Sequence, residues 1–371
     1  MKLTKRKHFH FFLSVLFFSA IISCKNSDKK ISANVITSFS GQSISFSEMD
    51  QFLELQMDSI GIPGLSIAII NDAKIVYHRA LGLKDVDTQE KLNEKTLFDA
   101  GSTSKTPFAY LTLKMVDQGI LDLDTPLYTY LPYPDIAHDE RYKLITARMV
   151  LSHTSGFPNW RFFNEDGKLD IKFTPGTGFK YSGEGFEYLA DVLAHLKNIE
   201  RNDLQKVFEK EIAIPLNMHN AYYVWNDYVT KNRASGHFEG KVNPGWGANK
   251  KKPNFRASYS LQTEAISYAG FIIGLMQEKG LEKNTFDEMF KVHVENPEEE
   301  EGEDQDNRSW ALGMVVNPTM HGPLYGHSGG NLSFTCEYQF SKEKKIGYVF
   351  FTNSEFSTEL DEKLVAFLMK K

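Results

Sequence analysis

The sequence predicts an α/β fold in which an antiparallel sheet assembled from both chain ends, flanked by helices, carries an inserted and mostly helical part. Three observations predict it. Short β-rich runs lie near the start, at Leu65 to Ile70 and Lys74 to Leu81, and again near the end, at Trp310 to Val316, Leu332 to Phe340 and Ile346 to Thr352. Between them the apolar residues recur at helical spacing. At the first boundary the octet Phe98-Asp-Ala-Gly-Ser-Thr-Ser-Lys105 opens an apolar helix with a hydroxyl and an amine three residues apart.

Taken in order, Phe46 to Ile60 has apolar residues at helical spacing and is stopped by Ile62-Pro63-Gly64. Asn71-Asp72 separates the first two β-rich runs and marks a hairpin. A helix is expected from about Ser104 to Gly119, with Pro107 in its first turn, where a missing N–H costs little. Further helices are expected at Ala147 to Leu151, Gly185 to Leu196, Asp203 to Ile212, Thr263 to Met276, around Phe286, and at Glu359 to Met369. The sheet part then covers about 43–120 and 308–371, and the helical part about 121–307.

The first residues are a different kind of sequence. Lys2, Lys5, Arg6 and Lys7 are followed by an apolar run from Phe11 to Ile22 and by Ile-Ile-Ser-Cys24, the pattern of a secretory signal over residues 1–23. The run is shorter than the ~20 residues that span a bilayer. Its end resembles the bacterial lipobox, which implies a lipid on Cys24, a flexible polar tether over 24–42 and an extracytoplasmic, membrane-anchored protein. Cys336 is then the one remaining cysteine, so no intramolecular disulfide is expected, and its alternating surroundings suit a packed strand.

Composition excludes several functions. The net charge of −6 owes much to residues 295–306, which hold eight acidic and no basic side chains and suit a solvated loop. Nucleic-acid binding has no electrostatic support. The eleven histidines show no metal-ligand spacing, and no cofactor motif is present.

Ser102 and Lys105, three apart on a helix, point within roughly 60° of each other and lie about 4.5 Å apart along the axis. That puts a nucleophile beside a base, since a serine hydroxyl attacks a carbonyl only once its proton is removed. Ser-x-x-Lys also occurs at Ser27/Lys30 and Ser341/Lys344, but the first lies in the tether and the second in a charged turn. Tyr181 sits in a loop ahead of a helix, and His327 in Tyr-Gly-His-Ser-Gly-Gly-Asn ahead of a strand. Gly326-His-Ser-Gly-Gly330 also fits the nucleophile elbow Gly-x-Ser-x-Gly, but that arrangement needs a later histidine and none follows His327.

Ser102-Thr-Ser-Lys105, Tyr181-Ser-Gly183 and His327-Ser328-Gly329, in this order, resemble the three motifs of the penicillin-recognising serine hydrolases, on the class C β-lactamase, D,D-peptidase and serine esterase side. Leu151-Ser-His-Thr-Ser-Gly156 and Pro175-Gly-Thr177 match as well. The resemblance implies a β-lactamase-like fold and an acyl-enzyme on Ser102, with Lys105 and Tyr181 sharing the proton transfers. It also implies an oxyanion hole from the N–H groups of Ser102 and Gly330, and substrate binding along His327, Ser328 and Gly329. A small-molecule or peptide-like substrate is expected.

Two departures bear on substrate choice. Gly183 stands where the family usually has Asn, and His327 replaces Lys in the third motif. At an ordinary pKa near 6.5 about a quarter of His327 is cationic at pH 7, so anionic substrates are expected to bind better as pH falls. The resemblance has Lys105 and Tyr181 share the roles of general base and acid; a phenol can serve as base at neutral pH only if a nearby positive charge steadies its anion, and Lys105 supplies one such charge. Both departures point to an esterase or a peptidase-like amidase before an efficient β-lactamase. The alternative is a surface-anchored binding protein that keeps the fold without turnover. His153 is expected to be structural, and Phe157, Trp160, Phe162 and Phe163 to pack a loop that could wall the cleft.

Overall fold

The computed structural model describes Met1 and residues 34–243, 254–297, 308–355 and 357–370. The signal, Cys24, the first part of the tether, Trp246 and most of the acidic run lie outside the described residues. No helix among the described residues is long and apolar enough to cross a membrane.

The folded body begins at Asn34 and not at residue 43. Strand β1 (Val35–Thr37) pairs with β2 (Ser43–Ser45), and the Asn71 side chain bonds both the N–H and the carbonyl of Thr37. Ile36, Phe39 and Ile44 are buried, so three apolar residues in a Ser-rich stretch fold down what reads as tether. Helix α1 (Phe46–Ile60) starts at a capping box between Ser45 and Glu48, a device whose cap residue contributes about 1 kcal/mol.

The predicted hairpin is β3 (Gly64–Asn71) and β4 (Lys74–Asp85), followed by the short β5 (Glu90–Lys91) and β6 (Phe98–Asp99). A 3₁₀ turn, Gly101–Ser104, leads into α2 (Lys105–Asp117). The middle of the chain supplies α3 (Ala147–Leu151), α4 (Gly183–Leu196), α5 (Leu204–Phe208, continued by a π turn), α6 (Asp227–Asn232), β7 (His237–Phe238), β8 (Lys241–Val242), β9 (Gln262–Thr263), α7 (Ala265–Met276) and α8 (Lys283–Phe290). The end returns to strands β10 (Ser309–Ala311), β11 (Met314–Asn317), β12 (Leu324–Gly330), β13 (Thr335–Ser341) and β14 (Ile346–Thr352), then α9 (Glu359–Lys370). Two expectations are corrected: Trp310 to Val316 is a tight hairpin of two strands, and His327 lies within a strand instead of before one.

Among the described residues the main sheet is antiparallel with the order β10-β11-β12-β13-β14-β3-β4-β5. The join between chain ends is β14 on β3, with Val349 opposite Ala68. Side chains alternate across a strand, which divides the core in two. Leu65, Ile67, Ile69, Tyr348 and Phe350 face α1 and α9, packing with Met49, Leu53, Leu360 and Leu364. Ala68, Ile70, Val349 and Phe351 face the other way, into the cluster that includes α2, α4 and α7. Because both faces are covered, β3 is buried throughout and reads as a continuous apolar run.

Asp361 of α9 reaches the sheet, where it accepts from Tyr348 Oη and from Gln339 Nε2 at 3.0 Å. Burial pushes its carboxyl up to about 7. Between the unfolded value near 4 and about 7 the folded chain holds a proton that the unfolded chain has lost, so this group makes stability fall as pH rises through that window. In Asp361→Asn the drop in Tm between pH 5 and pH 8 is expected to shrink by at least about 2 °C, the shift that 1 kcal/mol gives in a large domain. An unchanged drop in a thermal melt rejects the assignment.

Candidate active site

Ser102 lies in the 3₁₀ turn and Lys105 opens α2. Residues three apart eclipse in 3₁₀ geometry, which removes the offset expected for an α-helix, and Lys105 Nζ stands 3.1 Å from Ser102 Oγ. The turn is fixed from behind. Tyr268 Oη donates to the Thr103 carbonyl at 2.8 Å, Tyr223 Oη to the Ser104 carbonyl at 2.5 Å, and Leu261 N–H to Ser104 Oγ at 3.1 Å. Just ahead of it Asp99 takes a two-pronged bond from the fully buried Arg233, covered by the rings of Trp225 and Phe334.

Strand β12 closes the other side. It pairs with β11 only through Leu324–Gly326, so His327 to Gly330 have a free edge facing the Ser102 turn. Asn331 N–H bonds the Phe334 carbonyl, and the alternation of an antiparallel ladder then turns Gly330 N–H away from β13, toward that edge. The approach is too close for side chains. Gly101 has φ +49, and a Cβ on it would meet Gly330 N at 2.8 Å; one on Gly329 would meet the Ala100 carbonyl at 2.3 Å and Cys336 Sγ at 2.6 Å. Cys336 is buried behind this contact, its thiol pushed up by burial, and acts as packing.

Lys105 is fully buried. Its Nζ also donates to the Ser258 carbonyl at 2.9 Å and lies 4.7 Å from the centre of the Tyr181 ring. Burial pulls its pKa down to about 7, against the upward pull of the Glu187 carboxylate. Glu187 in turn accepts from Ser258 N–H at 3.1 Å and Ser258 Oγ at 2.5 Å, and pairs with Arg201. Ser258 and Glu187 thus steady the lysine without an Asn at position 183. Neither appears in any motif; the one signal was an acidic residue inside the apolar stretch Phe186-Glu-Tyr-Leu-Ala190 of α4.

Tyr181 precedes α4 and stands among His153, Trp310 and His327, with ring centres 4.4, 5.8 and 5.9 Å away. Burial raises its phenol well above the usual range, although the Ser102 hydroxyl opposes this. Burial thus works against a phenolate here, and Lys105 lies over the ring face. His153 packs on Tyr181 and its Nδ1 accepts from Ser182 N–H at 3.0 Å, which ties the tyrosine loop down.

His327 is buried and donates from Nδ1 to the Ser328 carbonyl at 2.6 Å. Burial, reinforced by the nearby Lys105 charge and opposed by that hydrogen bond, lowers its pKa to about 3. The expectation of a partly cationic His327 that gains anionic substrates toward pH 6 is overturned: the imidazole is neutral throughout that range. Ser328 is partly exposed on the same strand. Tyr181 Oη, His153 Nε2, His327 Nε2 and Trp310 Nε1 are buried with no hydrogen-bond partner among the described residues. Ser102, Lys105, Tyr181 and β12 are thus brought together. Among the described residues no group of acidic, His or Cys side chains could hold a metal ion.

The fold and this grouping place the chain in the β-lactamase-like class. The chain belongs to the Beta-lactamase family, whose profile matches residues 49–368. Two solved structures share the fold. An octameric penicillin-binding protein homologue from Pyrococcus abyssi is 21% identical with a TM-score of 0.72, over 88% of this chain and 78% of that one. A class C beta-lactamase is 20% identical with a TM-score of 0.68, over 86% and 94%. In sequence the chain is similar to Protein flp of Staphylococcus aureus (strain NCTC 8325 / PS 47), 23% identical over 206 residues, and spans only 41% of that protein's length. It is also similar to the human mitochondrial serine beta-lactamase-like protein LACTB, 30% identical over 104 residues, 28% of this chain and 19% of that one.

Proposed function

We propose that the chain cleaves an ester or a peptide-like amide bond through an acyl-enzyme on Ser102. The observation that carries this reading is Lys105: it bonds Ser102 Oγ and has a pKa lowered to about 7, so a large share is neutral and able to take the hydroxyl proton at physiological pH. Oγ attacks the carbonyl carbon, and the negative charge that develops on the oxygen is received by the N–H groups of Ser102 and Gly330. Such donors contribute on the order of 10²–10³ in rate. Tyr181 passes its proton to the leaving group while the Lys105 ammonium returns its own to the phenol; water then attacks the acyl carbon, giving a proton to Lys105, which hands it to Ser102 Oγ as the acyl group leaves.

The neutral His327 favours uncharged esters over β-lactams, whose carboxylate calls for a cation in the third motif. His327, Ser328 and Gly329 then bind substrate by hydrogen bonding and close backbone approach. The test compares a p-nitrophenyl ester with a chromogenic cephalosporin. Ester cleavage with a silent cephalosporin is expected; efficient cephalosporin turnover overturns the preference, and a Ser102 that takes up no serine-reactive probe overturns the enzyme.

We also propose a lipid on Cys24 that holds the protein outside the cytoplasm, on the strength of the basic start, apolar run and lipobox-like end. In a bacterial host Cys24→Ala is expected to move the protein from the membrane fraction to the soluble one; retention in the membrane rejects the anchor.

A further inference from the structure

The Gly183 position has a physical occupant. A Cβ on Gly183 would meet Trp160 Cη2 at 2.8 Å, the Asn159 carbonyl at 2.9 Å and Trp160 Cζ2 at 3.0 Å, contacts closer than packed carbon atoms accept. The indole therefore stands over the place from which the family's Asn side chain would extend. It is held there by a loop fastened to the start of α4. Ser182 Oγ donates to the Pro158 carbonyl at 2.9 Å, Gly183 N–H to Asn159 Oδ1 at 3.1 Å, and Arg161 grips Glu184 through Nε at 3.0 Å and Nη2 at 2.8 Å.

Trp160 does not stand alone. It meets Tyr259 edge-on at 5.5 Å and stacks on Phe162 at 5.9 Å. Tyr259 follows Ser258, whose carbonyl binds Lys105, so this aromatic surface starts beside the nucleophile's base. It runs outward to solvent, where Tyr259 is 40%, Phe162 66% and Phe163 70% exposed. Exposed aromatics in a continuous row beside a polar centre mark a binding surface for apolar groups.

We propose that Trp160, backed by Tyr259 and extended by Phe162, is the specificity-determining wall of the acyl subsite, and that it accepts an apolar alkyl or aryl acyl group where the family's amide would accept an acylamino group. This rests on the Ser102 acyl-enzyme reading. A flat, apolar wall gains binding free energy for each methylene it removes from water, so longer acyl chains bind better until they pass the exposed rings.

The test uses the whole protein and p-nitrophenyl acetate, butyrate and octanoate. The octanoate-to-acetate ratio of kcat/KM is expected to exceed 10 in the wild type and to fall at least tenfold in Trp160→Ala, mainly through KM, with Trp160→Phe retaining most of it. An equal loss on every ester means that Trp160 only supports the loop and overturns the proposal. Binding of the same esters to Ser102→Ala, followed by calorimetry, separates the two readings: tight octanoate binding that Trp160→Ala removes upholds the wall even where the wild type turns nothing over. Octanoate binding indifferent to Trp160→Ala overturns it. A third arm checks the steric claim. Gly183→Asn is expected to lower Tm, and adding Trp160→Ala to recover at least half of the loss; additive losses contradict it.

Discussion

Replacing Ser102 by Ala is expected to reduce ester turnover by at least about 10³-fold, to the level that positioning and oxyanion donors alone sustain. The change removes one atom from a partly exposed side chain whose hydrogen-bond partner is Lys105. The turn that carries it is held by Tyr268, Tyr223 and Leu261 through other atoms, so Tm should move by no more than about 2 °C. The competing serine, Ser328, sits on β12 with Glu337 opposite, away from the Lys105 amine that bonds Ser102 Oγ; Ser328→Ala should weaken turnover much less. The reverse ranking in a side-by-side assay would move the nucleophile to β12. Covalent labelling followed by mass analysis of the Ser102 peptide gives the same answer without a substrate.

The second large effect belongs to Lys105. Lys105→Met keeps most of the buried volume and removes the base, and should lower kcat/KM by about 10²–10⁴-fold. The wild-type pH profile carries the sign. The reactive form is the neutral amine, whose fraction rises with pH, so kcat/KM should climb through an apparent pKa near 7 and level off above about pH 8.5. No descending limb from Tyr181 is expected in that range, because burial lifts its phenol further, and none from His327, which is neutral from pH 5 upward. A profile flat from pH 6 to 8.5 would place the proton acceptor elsewhere.

Much of this was legible in the sequence because it is local or strongly patterned. The β3–β4 hairpin shows as two apolar runs around Asn71-Asp72, and the Ser102/Lys105 pair follows from spacing alone. What was illegible is set by distant segments. β12 is rich in Gly and carries no strand signal; its conformation comes from pairing with β13 and from packing against Gly101. The state of His327 depends on the neighbouring rings of Trp310 and Tyr181 and on the Lys105 charge, none of which its neighbours in sequence reveal. The empty-looking Gly183 gains its meaning from an indole 23 positions earlier. Ser258 reaches Lys105 across 153 positions by a backbone carbonyl, which leaves no trace in residue type.

The pairing of β14 with β3 has a consequence for the making of the protein. During synthesis the hairpin β3–β4 emerges early, and its apolar outer strand waits for a partner until residues 346–352 appear. Until then β3 offers open backbone groups to any passing strand, the usual hazard of an unpaired edge. The same delay keeps the nascent chain from chemistry, since Gly329 and Gly330 meet the Ser102 turn only once most of the polypeptide exists. Long-range closure is slow. Assembly of the sheet and arming of the nucleophile are therefore one late event, and a polypeptide interrupted before β14 carries Ser102 and Lys105 without the frame that makes them reactive.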